Sequence, residues 1–275
     1  MNVLWQLALK ELRDGLRNRW VAAAIIVLAA LALALSLLGS APTGSLRASA
    51  MDITVISLAS LSVYLVPLIA LMLSFDAMAG EFERGTMMLL LTYPVKRWQV
   101  IIGKFIGHVM ILFIAITVGY GGTILVMILL TGISSEGWQA YVVMMATSLL
   151  LGAVFIALGY LVSVLVKERA TAAGAAVGLW LLFVVVYDLM LFGVLVLDEG
   201  QVIGQQLFSF LLLVSPTDTY RILNLSMFGG VSEAAGIASV ASEASISGVL
   251  LFGVMLLWVL LPLTAALAVF QRREL

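Results

Sequence analysis

Few residues in this 275-residue chain have the chemistry for catalysis, ligation or proton transfer. His108 is the single histidine and there is no cysteine. One chain therefore holds no multi-histidine metal centre, no thiolate site and no disulfide. A lone histidine close to the end of an apolar run serves as a satisfied interfacial side chain, or at most as an isolated ligand or base. Thirteen methionines offer thioethers, which are soft ligands for Cu(I). Their close pairs, Met87-Met88 and Met144-Met145, are adjacent residues pointing in different directions, so core filling explains them better than a copper path. Gly103-Lys104 lacks both the upstream glycine and the following hydroxyl of a phosphate-binding loop, and no other such loop occurs. The chain cannot hydrolyse ATP by that route. Asp188 stands mid-way in an apolar run that contains no cation. A charged carboxylate at a bilayer centre costs about 2.5–3.5 kcal/mol on insertion scales. Asp188 can line a pathway, bind a cation, or hydrogen-bond across a seam between two copies while protonated.

The elements that position these groups follow from composition. Hydrophobic residues make up 63% of the chain and charged residues only 11%, with mean hydropathy +1.19. Soluble domains carry about 25% charged residues, so this is an integral membrane protein of all-α class. Net charge is −1, which gives no reason to expect a nucleic-acid partner. Crossing the hydrocarbon takes about 20 apolar residues. Six runs qualify: 20–39, 53–75, 105–130, 141–166, 173–197 and 248–270. The first is too long for a signal-peptide core and follows a structured leader, so it reads as a retained span.

Lysine and arginine set the orientation. Twelve of them fall in the N-terminal segment, the loops after spans two and four, and the C-terminus. Only Arg47 and Arg221 fall in the alternate loops. By the positive-inside rule both termini face the cytoplasm, which in a bacterium means a multi-pass inner-membrane protein. Residues 1–19 form an amphipathic helix with Leu4, Trp5, Ala8, Leu9, Leu12 and Leu16 on one side and Gln6, Lys10, Arg13, Asp14 and Arg17 on the other. Such a helix lies among lipid headgroups. Gly174 and Gly178 in span five make a small-residue face, suited either to packing within one subunit or to a homodimer seam.

Two segments outside the spans are structured. The first, 79–104, starts with acids (Glu81, Glu83), continues as a short apolar helix, and ends with Pro94, Lys96, Arg97 and Lys104. Acids at a helix start are favoured by its dipole, and such an element at a membrane surface is expected to dock a partner. The second is 198–247. Residues 207–214 are apolar but too few to span, hence re-entrant or interfacial. Ser215 then suits an N-cap, Pro216 the first helical position and Asp218 a capping-box spacing. A helix to about Phe228 is expected, followed by a mobile loop to Ser247.

The segment Gly80-Glu81, Glu83, Gly85-Thr86, Leu90-Leu91, Pro94 and Arg97, with the amphipathic leader and six spans, resembles ABC-2 type permeases. The resemblance implies that Glu81, Phe82, Glu83, Arg84, Gly85 and Thr86 form a coupling helix seated on a separate ATPase subunit. Lys167, Glu168 and Arg169 would be the second coupling contact. Further likeness runs through Lys10-Glu11-Leu12, residues 14–20, 87–94 and 103–108, Pro216-Thr217-Asp218 and Tyr220-Arg221. It is to the permeases that serve maturation of nitrous oxide reductase. It implies a homodimer that is not itself an enzyme and binds no cofactor, with ATP and Mg in the ATPase subunit. It also implies a periplasmic β-helical partner met by Pro216, Thr217, Asp218, Tyr220 and Arg221, and a role in assembling a copper–sulfur site. Two alternatives remain: an ABC-2 exporter of a lipid or hydrophobic drug, and a proton-linked carrier using Asp188.

Overall fold

The computed structural model describes residues 3–39, 50–131, 138–198, 205–227 and 247–273. The described residues are helical, with no strand among them. In chain order the helices are α1 (Val3–Leu16), α2 (Arg19–Gly39), α3 (Ala50–Ser74), α4 (Asp76–Glu83), α5 (Thr86–Leu91), α6 (Arg97–Thr131) and α7 (Trp138–Leu165). They continue with α8 (Arg169–Leu181), α9 (Tyr187–Asp198), α10 (Gln205–Val214), α11 (Pro216–Met227) and α12 (Gly248–Arg272). One π-helical turn, Leu182–Val186, joins α8 to α9. Among the described residues, six helical stretches are long and apolar enough to cross a membrane.

The centre of the bundle is α7. Residues 151–160 are buried on every side, which requires a helix that is apolar all round rather than along one stripe. Its contacts are chiefly with α3, α12 and α6, and α2 closes the outside against α6 and α3. Glycines make this closeness possible. A side chain at Gly152 would collide with Leu112 of α6, and one at Gly159 with Ser74 of α3.

Two boundaries differ from the sequence reading. Phe75 keeps helical dihedrals, so α4 continues the second span, and the stretch from Thr54 to Glu83 is one long helix. The third span also starts early, at Arg97, because Gln99 accepts a 2.8 Å hydrogen bond from the Lys96 backbone N–H and so starts the helix there. Lys104 is therefore inside a helix and not in a loop. The loop expected beyond Met227 lies outside the described residues up to residue 246.

Candidate functional site

Four short pieces meet where the chain termini lie. Helix α4 ends at Gly85, whose φ of +69° lets the chain reverse into α5 at little cost. Helix α5 then turns Met87 into the core and leaves Met88 and Leu89 59% and 65% exposed. Glu83, Arg84, Gly85, Thr86, Thr92, Tyr93 and Pro94 are exposed around them. Lys167, Glu168 and Arg169, the other expected coupling contact, are exposed as well. The two segments are joined directly. Glu83 accepts a 2.7 Å hydrogen bond from the Arg169 backbone N–H, and Asp76 pairs with the Arg169 side chain at 3.1 Å.

This corrects the expected role of the acids. Glu81 and Glu83 close α4; they do not open a helix, because the second span continues through Phe75. The dipole at their own helix end is unfavourable to them. Glu83 instead serves the N-terminus of α8, where its charge is favourable. Glu81 is turned inward, half-buried, and lies 2.6 Å from Lys104. Phe82 is packed under the C-terminal end of α12. The Arg273 guanidinium stacks 4.1 Å from the centre of its ring and donates to the carbonyls of Val164 and Val166, at the end of α7. Arg97 donates to the carbonyls of Phe270, Gln271 and Arg273 at 2.8–3.0 Å. It thereby satisfies carbonyls that a helix end leaves without partners.

Behind this surface is a buried charge cluster. Lys104, 4% exposed, lies 2.5 Å from Glu11 of α1 and 2.6 Å from Glu81 of α4. His108, one turn further along α6, shares a 2.7 Å hydrogen bond with the Tyr160 hydroxyl. It is the satisfied side chain expected of a lone histidine. Burial pushes the Glu11 carboxyl up, but Lys104, His108 and Lys10 together outweigh it and hold it below its ordinary value. Flanking Lys104, Gly103 and Gly107 form a G-x-x-x-G step on which α1 sits. A Cβ at Gly107 would lie 2.6 Å from Glu11 Cβ and 2.8 Å from the Ala8 carbonyl oxygen. The motif that fails as a phosphate loop is a helix seat.

The opposite end of the bundle carries α11. Ser215 caps it, accepting from the Asp218 backbone N–H at 3.3 Å, and Pro216 takes the first position, both as expected. Asp218 supplies only the backbone half of a capping box. Its carboxylate turns to Arg221 at 3.0 Å, which also holds Asp188 at 2.6 Å. Asp188 thus has a cation partner, 33 residues away in sequence and on another helix. Thr217 donates to the Phe183 carbonyl in the π-turn at 2.9 Å, and Tyr220 meets Ser148 of α7 at 2.9 Å. Pro216, Thr217, Asp218 and Tyr220 are buried and Arg221 is mostly so. Their side chains chiefly hold α11 to this chain, and of the five only Arg221 keeps part of its surface exposed.

No group of three potential acid, histidine or cysteine metal ligands exists among the described residues. The model of the ABC-2 family transporter protein family matches residues 5–275. The chain belongs to the ABC-2 transporter family. Across essentially its full length, 275 residues and 99% of each chain, it is 45% identical to a probable ABC transporter permease protein NosY of Stutzerimonas stutzeri. A protein of the same description from Pseudomonas aeruginosa is 42% identical over 277 residues, the whole of both chains. It is a permease subunit of an ABC transporter and an integral membrane protein. In this permease the residues that sequence reasoning missed are Asp76, Arg273, Glu11 and the two glycines flanking Lys104. The G-x-x-x-G spacing was the one available signal.

Proposed function

We propose that this permease works as a homodimer in a bacterial inner membrane, both termini in the cytoplasm, and receives work from a separate NosF-like ATPase subunit. ATP and Mg belong to that subunit. The observation that carries the reading is the joint between the two exposed segments. Glu83 and Asp76 tie α4 to α8, and Arg273 bridges Phe82 to the end of α7. A partner pressing on Leu89 and on Lys167–Arg169 therefore moves one body and not two loops. That body continues through α4 into the second span and through α8 into the fifth, with Arg273 holding the end of the fourth.

The lysine and arginine distribution supports the orientation. A second copy is supported by the α8 face, where Gly174 and Gly178 have no atom within 4 Å of a Cβ position and Val177 and Leu181 are exposed. Among the described residues nothing packs on those glycines. The identity with two NosY proteins supports a role in assembling the copper–sulfur site of nitrous oxide reductase, with a NosD-like periplasmic partner at the α11 end. There α11 is the inner support of the contact face.

Leu89→Asp tests the reading, because the side chain is exposed and its loss leaves the fold intact. The expected result is a permease that inserts normally but no longer copurifies with its ATPase, and a reductase lacking its copper–sulfur site. Undisturbed copurification and maturation sink the docking assignment. Lost copurification with a fully assembled reductase keeps the docking but refutes the reductase role, in favour of export of another cargo.

A further inference from the structure

We propose that Asp188 and Asp218 hold one proton between them, forming a proton-binding site at the α11 end of the bundle that fastens α11 to α9. The argument starts from charge. Two carboxylates share a single guanidinium, so with both acids ionised the cluster carries one uncompensated negative charge. Arg221 Nη1 reaches Asp188 Oδ2 at 2.6 Å and Asp218 Oδ1 at 3.0 Å. The other oxygen of each acid, Asp188 Oδ1 and Asp218 Oδ2, is buried with no hydrogen-bond partner. Ionised carboxylates only accept, so these two orphans cannot satisfy one another. One proton makes either of them a donor. The two carboxyl groups interact directly, so one proton on the pair gives it a donor and neutralises the cluster.

The surroundings agree. Asp218 is 4% exposed. Burial and the neighbouring Asp188 push its carboxyl up to about 7, against the weaker pull of Arg221 and Ser215. Tyr187 at the start of α9 and Tyr64 of α3 are the other titratable groups that face the pair, the first beside Asp218 and the second beside Arg221. Tyr220, on α11 itself, is turned away to Ser148. The described side chains of α7, α10 and α12 bring no carboxylate, amine or imidazole to this end. Asp188 keeps 21% of its side chain exposed, so the pair is not sealed within the chain. When the proton leaves, two negative groups face each other across the α9–α11 contact with only Arg221 between them, and the link weakens.

Because Asp218 binds its proton more tightly in the folded chain than in the unfolded one, α11 docking is strongest below the ordinary carboxylate value of 3.8. It weakens as pH rises through about 7. The site is independent of ATPase coupling, so the permease alone in lipid nanodiscs suffices to test it. Infrared difference spectra across a pH titration are expected to show one protonated-carboxyl C=O band. It should shift in D2O and disappear with a midpoint near 7. Asp188→Asn and Asp218→Asn should each abolish that titration. Absence of such a band from the wild-type protein overturns the proposal, whatever the variants do. Its survival in both variants overturns it too, as does a band that is missing while sodium or calcium raises thermal stability, since the site would then hold a metal cation.

Discussion

Replacing Lys104 by methionine isolates the contribution of one charge, because the unbranched side chain keeps most of the volume and apolar stem. In the wild-type protein the ammonium is buried between Glu11 and Glu81 at 2.5 and 2.6 Å, and both acids are themselves mostly enclosed. Lys104→Met leaves two enclosed carboxylates facing each other with no cation. Removing one member of a buried ionic group costs about 3–5 kcal/mol, mostly from the charge left behind. At roughly 2–4 °C per kcal/mol for a chain of this size, thermal unfolding in detergent should drop by about 6–20 °C. The companion variant Glu11→Gln/Lys104→Met/Glu81→Gln removes all three charges together. Since replacing a whole buried ionic group by neutral residues is often close to neutral, it should recover most of the loss. A single variant that melts with the wild type, or a triple variant no better than the single one, refutes the reasoning. In the first case the cluster would not be enclosed; in the second its members would not be coupled.

Gly107→Ala places a methyl 2.8 Å from the Ala8 carbonyl oxygen, a backbone atom that cannot rotate away. It should cost about 1–3 kcal/mol in unfolding measurements, whereas Gly178→Ala, which meets nothing among the described residues, should not lower monomer stability. The Glu11 carboxyl is held below its ordinary 4.5, so its stabilising contribution is complete above that pH and lost as pH falls through the folded value. Acid titration of α1 release, followed by protease cleavage near Asn18, should therefore show a step below 4.5 that Glu11→Gln removes.

The spans were legible because their signal is local: twenty apolar residues mean the same thing wherever they occur. The cap at Ser215 and Pro216 was legible for the same reason, since an N-cap is settled within four residues. The roles of Glu81, Glu83 and Asp188 were not, because each depends on a partner 23 to 86 residues away. An eight-residue shift in the start of the third span, from 105 to Arg97, hardly alters hydropathy, yet it decides whether Lys104 is a loop cation or a buried one. Arg221 looked like an exposed contact because a short polar helix outside the spans usually faces water. Here a partly enclosed acid on α9 draws it inward. Gly103-Lys104 draws attention as failed nucleotide chemistry, whereas the helix-packing spacing of Gly103 and Gly107 has meaning only once α1 is placed against them.

The seat of α1 on α6 also sets an order of events during synthesis. Gly15 packs against Ile111, so α1 has no place to sit until about 100 further residues have been made. At roughly 5–20 residues per second, the finished helix waits for about 5–20 s before its partner emerges. Through that interval only its own amphipathic pattern can hold it at the membrane surface. Trp5 and the cations opposite are thus a temporary mooring, needed most before the protein exists as a folded object.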